Sequence, residues 1–158
     1  MNKAIEIQAP NQVPLTHGLY VFLGGSIEMG KAIEWQKEVI ETLKDENIVF
    51  LNPRRDDWNS EWTQTITDPN FNEQVTWELK RLEESDFIVM VIDPNTISPI
   101  TLLEIGLHAR SGKMIVCCPD GFFRKGNVDV TGHFYGYPVV ETLEEVIEAI
   151  REKLNGKK

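Results

Sequence analysis

From Leu19 onward, short runs of consecutive apolar residues alternate with longer stretches in which apolar positions recur every three or four residues. Runs of the first kind predict strands buried on both faces, and stretches of the second kind predict helices with one face in a core. Residues 19–23 form a first strand ending in Gly24-Gly25-Ser26, and 31–44, with Ile33, Val39, Ile40 and Leu43, form the helix after it. A second strand falls at 48–51. Residues 52–70, rich in Asp, Asn, Trp and Pro, read as a long loop, and Trp58, Trp62 and Phe71 favour an ordered lid there. Helical spacing resumes over 71–84, with Val75, Leu79 and Leu82 on one stripe and Asp68 or Asn70 as cap. Residues 87–92 predict a central strand, 99–111 a helix stopped by Gly112, and 114–118 a fourth strand. Residues 121–136 read as another long loop, 138–140 as an edge strand and 143–154 as an amphipathic helix. The first sixteen residues carry no clean period and leave room for an extra edge strand.

Five strands interleaved with helices imply one doubly wound α/β domain over residues 1–158, a five-stranded parallel sheet with helices on both faces. Ligands of such sheets sit beyond the carboxyl ends of the strands. The positions to read are therefore 24–27, 52–58, 93–104 and 119–127.

Charge narrows the partners. The chain carries a formal net charge of −9 with Lys and Arg scattered along it, which argues against long nucleic acid. A small molecule with one phosphate remains compatible, because a few local donors outweigh a distant negative field. No apolar run approaches the ~20 residues that span a bilayer and no signal peptide opens the chain, so a cytoplasmic protein without membrane contact is expected. Cys117 and Cys118 are adjacent in an apolar run; on a strand they point to opposite faces, which disfavours a disulfide. His17, His108 and His133 lack metal-ligand spacing, and Gly24-Gly25-Ser26 matches neither the dinucleotide nor the Walker fingerprint. No metal and no cofactor are expected.

Several residues beyond the strand ends could carry chemistry. Gly24, Gly25 and Ser26 let the backbone approach a ligand and offer free N–H groups, or simply form a tight turn. The third strand runs to Asp93-Pro94 and a polar turn before a helix in which Pro99 suits the first position, so Ser98 is the expected N-cap. Glu104 lies in that helix among Leu102, Leu103, Ile105 and Leu107, and a carboxylate in such company needs a reason unless it is solvated. The same helical spacing groups it with Ile100 and with Leu107 or His108. Glu73 and Glu78, five apart on the preceding helix, cannot both face a site, and the pattern alone leaves both as solvated charges. Arg54, Arg55, Asp56, Asp57 and Trp58 either grip a planar polar ring or pair their own charges in an exposed loop.

Taken together, Phe22-Leu23-Gly24-Gly25-Ser26-Ile27, Phe50 to Arg55, Phe71 to Trp77 with Glu78, Asp86 to Ile92, Ser98-Pro99 through Glu104-Ile105-Gly106, and Phe123 to Val128 resemble the nucleoside 2-deoxyribosyltransferase family, in particular its phage and bacterial type. That resemblance implies a flavodoxin-like fold and a double displacement at the anomeric carbon of a deoxynucleoside. Glu104 would be the nucleophile and Glu78 the acid that protonates the departing base. Asn127 resembles the residue that reaches a neighbouring subunit's site, which implies a homo-oligomer with shared active sites acting on small deoxynucleosides and free bases. Two positions depart from the pattern. Phe22 stands where many relatives place a Tyr, and Tyr20 lies two residues away. Ser98 stands where classical transferases carry an Asp and the related nucleotide N-glycosidases a Ser, so a deoxynucleoside 5′-monophosphate hydrolase is the closest alternative, and a non-catalytic nucleotide sensor the next.

Overall fold

The protein is described by a computed structural model covering residues 2–27, 34–57, 59 and 61–157. Six strands, β1 (Ile5–Gln8), β2 (Leu19–Gly25), β3 (Ile48–Asn52), β4 (Phe87–Val91), β5 (Met114–Cys117) and β6 (Val139–Val140), form one sheet in the order β1-β3-β2-β4-β5-β6. Every pairing is parallel. Without β1 the order is that of a flavodoxin-like sheet, whose topological switch point lies between its first and third strands, here β2 and β4. The expected five strands are therefore six: the N-terminal segment adds β1 at the edge, held by parallel pairing to β3 and by Asn52 Nδ2 donating to Glu6 Oε2 at 2.7 Å.

Helices cover both faces. α1 (Trp35–Thr42) and α5 (Leu143–Lys157) bury Trp35, Val39, Val146 and Ile150 against Val21, Phe50 and Val89. α2 (Pro69–Glu84), α3 (Pro99–His108) and α4 (Lys125–Tyr135) bury Trp77, Leu82, Ile105 and Val128 against Phe22, Ile88 and Met90 on the other. The alternation along β2, with Val21 and Leu23 in one core and Phe22 in the other, divides the two layers residue by residue. Cys117 and Cys118 fall on opposite faces, as their adjacency implies, and burial raises both thiols to about 11.

Two boundaries differ from expectation. Of the helix expected over 31–44, the part at 31–33 lies outside the described residues, and α1 begins at Trp35. Residues 125–135, expected within a loop, are the helix α4. Its two glycines and the β-branched Val128, Val130 and Thr131 lower its intrinsic propensity. Tertiary contact overrides that: Gly132 lies so close to Tyr137 that a Cβ would stand 2.8 Å from the ring, and Tyr137 Oη donates to Val128 O at 2.7 Å.

Candidate active site

The carboxyl ends of β2 and β4 meet at the switch point, and one glycine makes their approach possible. Gly25 sits at φ 140°, and a Cβ on it would collide with the Val91 carbonyl oxygen. Ser26 N donates to that same oxygen at 2.9 Å. The Ser26 hydroxyl then accepts from Asp93 N at 2.8 Å and lies 2.6 Å from Ser98 Oγ and 3.1 Å from Thr96 Oγ1. Thr96 and Ser98 close the triangle at 2.6 Å, with Thr96 Oγ1 donating to Asp93 O. Asp93 is half-buried, and its Oδ1 accepts from Asn95 N, which pins the turn.

Ser98 occupies the N-cap position of α3 as expected, but its hydroxyl does not cap. The residue adopts a left-handed backbone, φ 48° and ψ 52°, which turns Oγ toward Ser26 and Thr96 and away from the helix amides. Asp68, by contrast, caps α2 in the ordinary way, its Oδ1 accepting from Asn70 N and Phe71 N.

α3 is turned opposite to its composition. Its buried face is Thr101, Glu104, Ile105 and His108, while Ile100, Leu103 and Leu107 are each more than half exposed. Glu104, 6% exposed, therefore shares neither Ile100 nor Leu107 as a facial neighbour, contrary to one grouping that its spacing allowed. Burial raises its carboxyl from the ordinary range to about 7. No hydrogen bond to it is made among the described residues. His108, one turn on, is turned toward Glu83 at 3.9 Å, and burial keeps its pKa below the usual value.

α2 supplies the second acid. Glu73 is exposed and Glu78 half-buried, so one of the two faces inward. Burial raises Glu78 to about 8, and the negative charge of Glu104 adds to this. Two carboxyls on two helices, both raised by burial, thus bear on one another electrostatically, which disfavours ionising both near neutral pH.

The loop after β3 pairs much of its own charge. Arg55 donates through Nε and Nη2 to Asp57 at 2.8 and 3.0 Å, lies 4.9 Å over the Trp62 ring, and reaches Gln74 Oε1 through Nη1 at 3.3 Å. Asp57, named from sequence as a ligand group, spends both carboxylate oxygens on Arg55. Arg54 is buried and donates its amide to Asn52 Oδ1 at 3.0 Å. Trp58 lies outside the described residues. Asn127 stands exposed in the first turn of α4, with its carbonyl accepting from Thr131 Oγ1.

Of the residues named from sequence, Gly25, Ser26, Asp93 and Ser98 are joined directly, and Glu78 feels the charge of Glu104. Gly24 lies beneath them, packed against Met90 and the fully buried Phe22. Tyr20 cannot replace the missing phenol, because its hydroxyl donates toward Pro14 O and Thr16 O. Thr96 and Gln74 were not singled out by pattern. The only local signals were a hydroxyl two residues before Ser98 and an amide one helical turn before Glu78. Hollows of about 520 and 640 Å³ open elsewhere, lined by residues such as His17 and Asp86 or Tyr135 and Lys153, and neither includes Glu78 or Glu104. Among the described residues no cluster of three His, Cys, Asp or Glu side chains is placed to hold a metal ion, and no helix is long and apolar enough to cross a membrane.

Residues 18–122, which contain both acids and the hydroxyl triangle, match a protein family described as nucleoside 2-deoxyribosyltransferase like. Among solved structures, a conserved protein from Enterococcus faecalis V583 aligns with a TM-score of 0.63 and 16% identity, covering 87% of this chain and 100% of that one. At that identity the likeness is one of fold. No curated protein matches the sequence.

Proposed function

The chain belongs to the nucleoside 2-deoxyribosyltransferase-like family, and on that premise we propose that it exchanges the base of 2′-deoxynucleosides through a covalent deoxyribosyl ester on Glu104. Family membership supports a nucleoside transferase or glycosidase kind of function. The observation that carries the finer assignment is that Glu104 lies on the buried face of α3 with no hydrogen-bonding partner among the described residues, while a second acid raised by burial, Glu78 on α2, feels its charge. Two such acids share one proton near neutral pH, so one can act as nucleophile while the other holds the proton.

In the first half-reaction the Glu104 carboxylate attacks C1′, the C1′–N bond breaks, and Glu78 gives its proton to the departing base nitrogen. This leaves a deoxyribosyl ester on Glu104 and a carboxylate on Glu78. In the second half, an incoming base attacks C1′ from the face the first one left, its N–H proton passes to Glu78, and Glu104 departs as carboxylate. Two inversions give net retention. Burial of Glu104 favours the step, since a poorly solvated carboxylate is a stronger nucleophile and the neutral ester suits an apolar wall.

The substrate is a deoxynucleoside, and the closest alternative is hydrolysis of its 5′-monophosphate. A specific feature favours considering it: Ser26, Thr96 and Ser98 put three neutral hydroxyls at the switch point. The exposed apolar residues Ile100, Leu103 and Leu107 of α3 and Val130 and Phe134 of α4 further support a homo-oligomer, with Asn127 serving a neighbour's site.

Incubation with deoxyinosine and adenine, followed by chromatography, tests the assignment. Deoxyadenosine and hypoxanthine are expected, and Glu104→Ala abolishes both. Exchange by that variant at the wild-type rate would overturn the assignment of the nucleophile. Hypoxanthine or its release from deoxyinosine monophosphate without added base would identify a hydrolase, and no turnover of either substrate would leave a binding module. If sites are shared, mixing inactive Glu104→Ala and Asn127→Ala chains restores part of the activity.

A further inference from the structure

The three hydroxyls at the switch point hold three protons, and their contacts leave none over. Each hydroxyl has one O–H to donate and two lone pairs with which to accept. Thr96 gives its proton to Asp93 O at 2.8 Å, so in its 2.6 Å contact with Ser98 it is the acceptor. Ser98 is then the donor there, and in its own 2.6 Å contact with Ser26 it accepts. The protons run one way, from Ser26 to Ser98 to Thr96 to the Asp93 carbonyl. The 3.1 Å approach of Ser26 to Thr96 has no proton to fill it, and Ser26 already accepts from Asp93 N at 2.8 Å. The left-handed backbone of Ser98 is what turns its hydroxyl into this chain, leaving α3 without a side-chain cap.

What the group still offers is acceptors, and one corner offers them outward. Ser26 and Ser98 are 2% and 4% exposed, whereas Thr96 is half-buried and reaches the surface. A ligand hydroxyl brings its own proton and meets a lone pair on Thr96 Oγ1. A dianionic phosphate brings only acceptors. The hydroxyls carry no charge to repel it, yet they have no proton to give it, and the Asp93 carboxyl in the same turn is itself acidic. Placement suits a sugar: Ser98 and Glu104 are six residues apart on the chain, about 9 Å of helix rise, and long helical side chains lean toward the N-terminus. With C1′ at Glu104, the 5′-hydroxyl on its exocyclic carbon is the sugar group with the longest reach back toward Thr96.

We propose that Thr96 is a specificity-determining residue: its Oγ1 accepts a hydrogen bond from the 5′-hydroxyl of the sugar, and the closed proton chain behind it withholds donors from a phosphate at that position. The identity of the ligand rests on the role given to Glu104 above. Removing the Thr96 hydroxyl does two things at once. It takes away the acceptor for the ligand, and it releases the Ser98 proton to point elsewhere. The preference for a hydroxyl over a phosphate therefore narrows from both sides.

The test is titration calorimetry on the full chain carrying Glu104→Gln, where no ester can form, with 2′-deoxyinosine, 2′,5′-dideoxyinosine and deoxyinosine 5′-monophosphate. 2′-Deoxyinosine should bind roughly tenfold more tightly than the analogue without the 5′-hydroxyl, the worth of one hydrogen bond, and more tightly than the monophosphate. Adding Thr96→Val, which keeps the shape, should abolish the first difference and narrow the second, and Thr96→Ser in its place should restore both. If Thr96→Val weakens all three ligands alike and leaves the differences unchanged, Thr96 only supports the turn and the proposal is overturned. A monophosphate that binds the parent chain as tightly as the nucleoside overturns it as well. Circular dichroism verifies that the variants are folded; if Thr96→Val is not, Thr96→Ala gives the same reading. No binding of 2′-deoxyinosine would refute the deoxynucleoside reading and this inference with it, whereas binding with differences that ignore Thr96 would refute this inference alone.

Discussion

Replacing Glu104 by Gln removes an ionisable group from the buried face of α3 while keeping its shape, and the change should stabilise the protein in a pH-dependent way. In the unfolded chain the carboxyl titrates near 4.5, and in the fold near 7. Because the folded value is raised, the neutral form is the one that the fold favours. Stability is therefore undiminished below pH 4.5, falls as pH rises from 4.5 through about 7, and stays low above. At about 1.4 kcal/mol per pH unit, that interval corresponds to a penalty of about 3 kcal/mol at pH 8. With Glu104 only 6% exposed, solvent screening removes little of it. Removing its charge also relieves Glu78, so the gain in the variant exceeds rather than undershoots the isolated figure. For a domain of this size, thermal unfolding should shift upward by roughly 6–12 °C at pH 8 and hardly at all at pH 4.5. Circular dichroism melts at matched ionic strength from pH 4.5 to 9 measure it. Wild-type and Glu104→Gln curves that run parallel over that range would show that Glu104 is hydrated in the fold, and the nucleophile assignment would lose its physical basis. A stabilised but inactive variant is the pattern expected of a site held in an unfavourable state for function.

Other consequences follow from the same geometry. The kcat/KM profile should rise as Glu104 ionises near pH 7 and fall as Glu78 loses its proton near pH 8, giving a narrow bell in steady-state assays; a flat profile from pH 6 to 9 would contradict the division of roles. Glu78→Gln should slow base release by roughly 10²–10⁴-fold while leaving the fold intact, and single-turnover chromatography resolves this. Gly25→Ala places a Cβ against the Val91 carbonyl at a φ that L residues avoid, so it should cost at least about 1–3 kcal/mol in denaturant unfolding and reduce activity as the switch point widens. Tyr20→Phe should cost about 1 kcal/mol through its lost contacts to Pro14 and Thr16 and leave turnover unchanged; a large loss of kcat would instead tie Tyr20 to the chemistry.

What the sequence determined by itself is the layered frame. Uninterrupted apolar runs at 19–23 and 87–92 are readable because a strand covered on both sides needs apolar residues at every position, and they became β2 and β4, the two strands that flank the site. The turn chemistry around Pro99 and Gly112 likewise bounded α3 through local backbone limits. Tertiary structure decided everything that depends on partners distant in the chain. The Ser98 hydroxyl left its expected capping role because Ser26, 72 residues away, offers a contact at 2.6 Å. α4 formed despite weak propensity because Tyr137 and the edge of the sheet receive it. Periodicity could not choose between Glu73 and Glu78, nor show that α3 turns a glutamate inward and three large apolar residues outward. Nor could it show Arg55 meeting Gln74, 19 residues on, at 3.3 Å. Periodicity records which face of an element is apolar on average. Which particular side chain meets which is fixed only when the helices pack on the sheet, and the proposed chemistry of Glu104 and Glu78 depends on that meeting.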